Sequence, residues 1–337
     1  MTKMNIAEAL RQGISEEMRR DDRVFCIGED IGIEGGFGGA FTVTLGLSEE
    51  FGHDRIIDTP ISEIALCGMA IGAAVAGMRP IADVQYGDFL FCMMDQIANE
   101  APKLRYMSGG QVSVPMVMRA PVGSTRRGSQ HAQSLQAFFT HVPGLKVVAP
   151  STAFDAKGLL KSAVRDDNPV LIFEHKLLYG SKGQRAEKGA LSPIGEVPDE
   201  EYLVPIGKGI IRKEGKDATI VSIHRMLYTT LSAADRLAEQ GIDVEIIDPR
   251  SLVPLDKELI YDSVRKTGRL IIVEEDNLTN GWGAEIAALA ADEVFEWLDA
   301  PIKRVASPDV PPPFAPVLEA EYLPDEDKII AAVESSF

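Results

Sequence analysis

Cysteine is scarce in this chain of 337 residues, which holds 3: Cys26, Cys67 and Cys92, with no C-x-x-C pair among them. That excludes a disulfide framework and a zinc ribbon and fits a reducing compartment. Positive charge is also short, 34 Lys+Arg against 51 Asp+Glu, for a formal net charge of -17. A protein that grips phosphodiesters draws its affinity from clustered cations, so nucleic acid and anionic membranes are disfavoured as partners. No run approaches the roughly 18 apolar residues that a transmembrane helix needs. The start, Met1-Thr-Lys-Met-Asn-Ile, passes straight into an amphipathic pattern (Ile6, Ala7, Leu10, Ile14, Met18) with neither an apolar signal core nor an Arg/Ser-rich transit segment. A soluble cytoplasmic protein is the expectation.

The common catalytic signatures are missing too. Gly28 to Gly39 (GEDIGIEGGFGG) is dense in glycine but contains no G-x-G-x-x-G, so a dinucleotide fingerprint is unsupported. P-loop, zincin and nucleophile-elbow patterns do not occur. None of the 5 histidines pairs at His-x-x-x-His spacing, and none is assigned to a metal on spacing.

What remains is ordinary globular composition, 45% hydrophobic and 25% charged, and about two domains at roughly 150 residues each. Short β-rich runs (Arg23 to Ile27, Arg55 to Ile57, Pro80 to Gln85, Val114 to Arg119, Leu145 to Ala149, Pro169 to Glu174) alternate with helical patterns. The helices fall at Asn5 to Arg20, Glu63 to Ala76, Phe89 to Arg105 and Thr152 to Arg165. Such alternation predicts a parallel sheet covered by helices. Periodicity collapses after Gly180 into Gly, Pro and charge, so the expected division is 1–180, a linker at 181–205, and a smaller α/β domain at 206–337. In that second part strands are expected at Thr219 to Ile223, Val244 to Asp248, Leu270 to Glu274 and Ile302 to Val305. The prolines Pro308, Pro311, Pro312, Pro313 and Pro316 predict an extended surface segment.

Several blocks stand in order along the chain: Gly28-Glu-Asp-Ile-Gly32, Asp58-Thr-Pro-Ile-Ser-Glu63, Asp95-Gln-Ile-Ala-Asn99, Arg105-Tyr-Met-Ser-Gly-Gly110, Gln130-His-Ala-Gln-Ser-Leu135, Pro143 to Pro150, Asp155-Ala-Lys-Gly158 and Asp248-Pro-Arg-Ser-Leu252. Together they resemble the beta subunits of thiamine-diphosphate-dependent 2-oxo acid and acetoin dehydrogenases, over nearly the whole chain. The resemblance implies an α/β fold with a transketolase-like, pyrimidine-binding domain on a parallel sheet, then a smaller domain of the transketolase C-terminal type. The chain has no Gly-Asp-Gly, the motif that in similar enzymes holds the cofactor diphosphate through Mg²⁺. The family's answer is a separate alpha subunit bearing that half, in a heterotetramer of two alpha and two beta chains.

By the same resemblance, Glu63 is the carboxylic acid that hydrogen-bonds the cofactor's pyrimidine ring, and burial there should raise its pKa. Ile61 and Gln85 match positions that touch the ring, and Phe89 the aromatic stacked on it. His131 matches a histidine that moves protons at the substrate and the lipoyl sulfur. Its pattern here is His131-Ala132-Gln133-Ser134, where the family usually has His-Ser-Gln-Ser. Ala163, Asp166 and Asn168 match a structural K⁺ site. Taken without the family, Glu63 also reads as a first-turn glutamate on a helix dipole, Phe89 as core, and Asp166 to Asn168 as a plain helix-closing turn. Arg126 and Arg127 are candidates to attract a carboxylate substrate. C-terminal acidity (Glu285, Asp292, Glu293, Glu296, Glu319, Glu321, Asp325 to Asp327) would complement a basic docking domain of the lipoyl acyltransferase component. The rival readings are a subunit of a split transketolase and a non-catalytic scaffold subunit.

Overall fold

A computed structural model describes residues 1–180 and 193–337. Seven strands form one sheet, in spatial order Ser251–Val253, Lys146–Val148, Val170–His175, Val117–Val122, Arg79–Asp83, Val24–Gly28 and Ile56–Asp58. All neighbours are parallel except the first pair. A second sheet of five runs Lys303–Ser307, Leu270–Asn277, Ala218–Ser222, Val244–Asp248 and Ile210–Lys213, antiparallel only at its last pair. Strands buried on both faces need apolar runs rather than alternation, and the central Val24–Gly28 and Ala218–Ser222 are buried throughout.

The helix Ile6–Arg20 begins where Asn5 and Glu8 cap each other's backbone amides. It lays Leu10, Ile14 and Met18, all fully buried, against the helix Ala153–Arg165. Thr152 caps the latter by accepting Asp155 N–H.

Four features depart from the sequence expectation. The segment Phe89 to Arg105 is not one helix but a 3-10 turn at Gly87–Met93, a π turn at Gln96–Glu100 and a single turn at Leu104–Met107. Pro102 explains the last break, since it lacks an N–H and clashes with the carbonyl four residues back. Pro316 opens the helix Pro316–Tyr322, at the first position where proline is tolerated. Of the expected linker, 181–192 lies outside the described residues. The remainder is not free chain: Gly195–Val197 pairs with Thr2–Met4, and Val204 is buried in the first core.

The fourth departure is the joint between the two halves. Ser251–Val253 crosses over to edge the seven-stranded sheet. Beside it Arg212 bonds both Asp155 and Asp248, and Arg250 reaches Asp155 at 3.1 Å. The Asp155 and Asp248 to Leu252 blocks therefore meet as one buried ion network.

Candidate active site

The candidate residues gather because five parallel strands end on one side of the sheet, where α/β proteins build their sites. Glu29 follows Val24–Gly28; Ile61 and Glu63 follow Ile56–Asp58; Gln85 follows Arg79–Asp83; the His131 loop follows Val117–Val122; Lys176 follows Val170–His175. Glu63 is the first residue of the helix Glu63–Val75, which packs on the Gly87–Met93 turn bearing Phe89. Phe89 meets His131 edge-on at 5.4 Å between ring centres, and Tyr86 meets it from another side at 6.0 Å. Tyr86, Phe89 and His131 thus share one corner, with Gln85 the residue before Tyr86 and Glu63 on the adjoining helix end.

The Glu63 carboxyl is half-buried and forms no hydrogen bond among the described residues. The full burial expected for it is not supplied by this chain alone. Its neighbour Glu29 was not anticipated. Burial, and then the nearby Glu63 charge, push the Glu29 carboxyl above its usual range, against a hydrogen bond from the Ser62 backbone. Ile61 is 82% exposed, an apolar side chain awaiting cover. Gln85 is already engaged: its carbonyl oxygen accepts Ala40 N–H at 2.8 Å, and its amide nitrogen donates to the Glu29 carbonyl at 3.2 Å. It ties down the glycine-rich loop. An unpaired acid, a half-buried phenyl ring and an uncovered isoleucine suit a flat, partly basic heteroaromatic such as the aminopyrimidine of thiamine diphosphate.

The His131 loop is pinned. Gln133 donates to Asp88 Oδ1 at 2.8 Å from its side chain, and the Lys176 ammonium binds the His131 carbonyl. Arg127 donates to the Tyr86 hydroxyl at 3.1 Å and lies over its ring, while Arg126 is exposed. Sequence reasoning missed Glu29, Tyr86, Asp88 and Lys176. Three of them sit within or beside blocks already singled out (Gly28 to Gly32, Gln85, Phe89), which is the signal that was available.

Beneath the site Arg119 is fully buried. It bonds Asp83 at 2.5 Å and Glu174 at 2.8 and 2.6 Å, and Tyr179 donates to Glu174 at 2.5 Å. Burial opposes the guanidinium charge, but Glu174 and then Asp83 overcome it and hold Arg119 charged.

The proposed cation residues lie at the opposite, N-terminal edge of the strands. Asp166 N–H donates to the Ala163 carbonyl, while its carboxylate binds Lys146 and accepts Asn168 N–H and Nδ2 at 2.9 Å. Arg79 takes the carbonyls of Val164 and Asp166. Cationic side chains and amides of the chain thus hold the Asp166 carboxylate and the Val164 and Asp166 carbonyls. No cluster of three His, Cys, Asp or Glu able to hold a metal occurs among the described residues.

Between the halves, His175 pairs with Glu275 at 2.8 Å, and His224 meets the Phe173 carbonyl at 2.9 Å. Asp276 lines the same small cavity, with one oxygen unpartnered. Burial pushes its carboxyl from 3.8 to about 7, the Asn277 N–H pulling back and the Glu274 charge adding. A raised folded-state pKa gives stability that is present below the unfolded value and lost as pH rises through 7. Asp276→Asn is therefore expected to gain stability over the parent as pH goes from 5 to 8, by about 2 kcal/mol, measured as the difference in urea unfolding free energy. Glu275, held down to about 2 chiefly by His175 against its burial, titrates below that window. His224, whose pKa burial lowers to about 3, titrates in both proteins and cancels.

Comparison with known proteins identifies the class. The transketolase pyrimidine-binding domain matches residues 2–182, and the transketolase C-terminal domain matches 207–329. Among solved structures, a split-gene transketolase described as an inactive beta4 tetramer superposes with a TM-score of 0.77 at 23% identity, covering 99% of this chain and 98% of that one. Closer in sequence are bacterial dehydrogenase subunits. The 2-oxoisovalerate dehydrogenase subunit beta of Bacillus subtilis is 45% identical over 99% of this chain and 98% of its own length. The acetoin:2,6-dichlorophenolindophenol oxidoreductase subunit beta of the same organism is 44% identical over 97% and 95%. The pyruvate dehydrogenase E1 component subunit beta of Rhizobium meliloti is 44% identical over 99% and 70%. The chain belongs to the family of E1 beta subunits of 2-oxo acid and acetoin dehydrogenases, a transketolase-like family that depends on thiamine diphosphate.

Proposed function

We propose that the chain is the beta half of a thiamine-diphosphate-dependent dehydrogenase that decarboxylates a 2-oxo acid or cleaves acetoin and passes the acyl unit to lipoamide on an acyltransferase component. Residues 1–180 would serve as the pyrimidine-binding domain and 206–337 as the C-terminal domain. The observation that carries this reading is the unbonded Glu63 carboxyl on a helix end beside the Phe89, Tyr86 and His131 corner. When bound, thiamine diphosphate supplies the electron sink for breaking the bond beside the substrate carbonyl. Glu63 holds a proton toward the pyrimidine ring nitrogen. Phe89 and Ile61 hold that ring by apolar contact, and Gln85 keeps the Glu29 to Ala40 loop in place around it. His131, anchored through Lys176 and Gln133, gives and takes protons at the substrate and at the incoming sulfur.

An alpha chain, in a tetramer of two alpha and two beta, would carry the diphosphate and Mg²⁺. The surface agrees: next to Ile61, the helix Glu63–Val75 leaves Ile64, Met69 and Val75 exposed, an apolar face that calls for a partner. Among the described residues no helix is long and apolar enough to cross a membrane, and Cys26, Cys67 and Cys92 are all free, which suits the cytoplasm. Docking of the acyltransferase through C-terminal acidity needs one amendment: Glu319 is buried and bonded within the chain. Glu285, Asp292, Glu293, Glu296, Glu321 and Asp325 to Asp327 remain as candidates.

Co-expression with the candidate alpha chain, with thiamine diphosphate and Mg²⁺ added, tests the proposal. Artificial-dye reduction driven by acetoin, pyruvate or a branched-chain 2-oxo acid is expected from the pair and from neither chain alone. Assembly without dye reduction, but with ketol transfer between sugar phosphates, would place the chain in a split transketolase instead.

A further inference from the structure

The loop Gly123–Gln133 follows a strand of the first sheet, yet much of what fixes it comes from the last quarter of the chain. Glu275, on the strand Leu270–Asn277, accepts Ser124 N–H at 2.5 Å with one oxygen and pairs with His175 through the other. Glu319, on the helix Pro316–Tyr322, accepts Arg126 N–H at 2.6 Å. Arg126 has φ of 60°, a left-handed conformation that a side-chain-bearing residue keeps only where its surroundings impose it. Ser129 Oγ donates to the Pro312 carbonyl at 3.1 Å, and Phe314 lies against Gly128. At the loop's start, Gly123 has φ of 94° and sits on the His175 ring, where a Cβ would fall 2.2 Å from Nε2. Glu319 is 6% exposed on a helix whose Val317, Leu318 and Glu321 face solvent. Burying a carboxylate is costly unless it is hydrogen-bonded, and the loop amide is what meets it.

We infer that Glu319 and Glu275 are positioning residues that hold this loop so that His131 stands against Phe89 and Tyr86, making the C-terminal segment part of the site. The inference rests on the reading of His131 as the proton-transfer group.

Limited trypsin digestion of the full chain reads the loop directly, because Arg126 and Arg127 are exposed. Glu319→Ala is expected to speed cleavage at these arginines about tenfold, equivalent to about 1.4 kcal/mol of lost protection. Glu319→Gln keeps an acceptor and should stay near the parent, as should Glu321→Gln on the exposed side of the same helix. In the enzyme reconstituted with its alpha chain, Glu319→Ala should lower kcat with KM nearly unchanged, and Glu319→Gln should restore it. Should Glu319→Ala fail to fold, Glu319→Asp, one methylene short of the amide, carries the same test. Unchanged cleavage overturns the inference. Faster cleavage with undiminished kcat overturns it as well, since the clamp would then position nothing. Full turnover in His131→Ala is a separate failure: it removes the reading of the site and leaves the digestion result standing.

Discussion

Glu63→Gln is expected to cut dye reduction by the reconstituted alpha/beta enzyme by about 10³-fold, within the range that positioned acid–base groups contribute, while subunit assembly by size exclusion is unchanged. The substitution keeps the shape of the side chain and its place at the start of the helix Glu63–Val75. It removes the one thing an amide cannot do, which is give and take a proton at the pyrimidine nitrogen. The Glu63 carboxyl makes no hydrogen bond among the described residues, so the structural loss with its charge is confined to its place at the helix N-terminus. Relief of the repulsion from Glu29, whose carboxyl the Glu63 charge helps to raise, should leave the variant at least as stable as the parent. Loss of turnover with intact assembly would therefore belong to chemistry and would reject a scaffold role. Activity within tenfold of the parent would remove Glu63 from the mechanism.

The layout of this fold was readable where local chemistry and burial agree. The apolar runs from Arg23 to Glu174 each hold a strand of the parallel sheet, and Asn5 and Thr152 cap the helices their side chains are suited to start. Reading failed where distant residues decide the outcome. Ser251–Val253 is a strand only because Lys146–Val148 offers an edge, and no local period encodes that. The Phe89 to Arg105 stretch has helical composition, but Pro102 and the packing of the turns against the Glu63–Val75 helix divide it. At the site, the family resemblance pointed to Glu63, Gln85, Phe89 and His131, and the fold brings the last two to one corner beside the helix Glu63 begins, while Gln85 braces the neighbouring loop. The supporting acids, Asp88, Glu275 and Glu319, lie far from their loop partners in sequence; only folding joins Arg126 to Glu319. Lys146 and Arg79 are a further case: they bind Asp166 and the Val164 carbonyl beside the motif that suggested a bound cation, and no local pattern announces them.

Arg119→Met should cost about 3–5 kcal/mol of stability, the range for breaking a buried ion pair from one side. That corresponds to a Tm lower by roughly 10 °C for a domain of this size. The side chain closes three adjacent strand ends: Asp83 and Arg119 are register partners, and Glu174 stands on the strand beyond. Methionine fills much of the space but leaves two buried carboxylates without their arginine, while Tyr179 still donates to Glu174. Exchanging the two acids as well, Asp83→Asn with Glu174→Gln, should recover part of the loss, because it removes the unpaired charge. No recovery in that triple variant would mean that packing, not charge, is what Arg119 supplies. The consequence reaches the site because Asp83 Oδ1 also lies 3.4 Å from the Gln85 amide nitrogen, which in turn holds the Glu29 carbonyl. A buried arginine two strands from Glu29 thereby sets the loop whose carboxyl adjoins Glu63, and weakened thiamine diphosphate binding by the folded variant reconstituted with its alpha chain, read by fluorescence quenching, is the expected sign of that link.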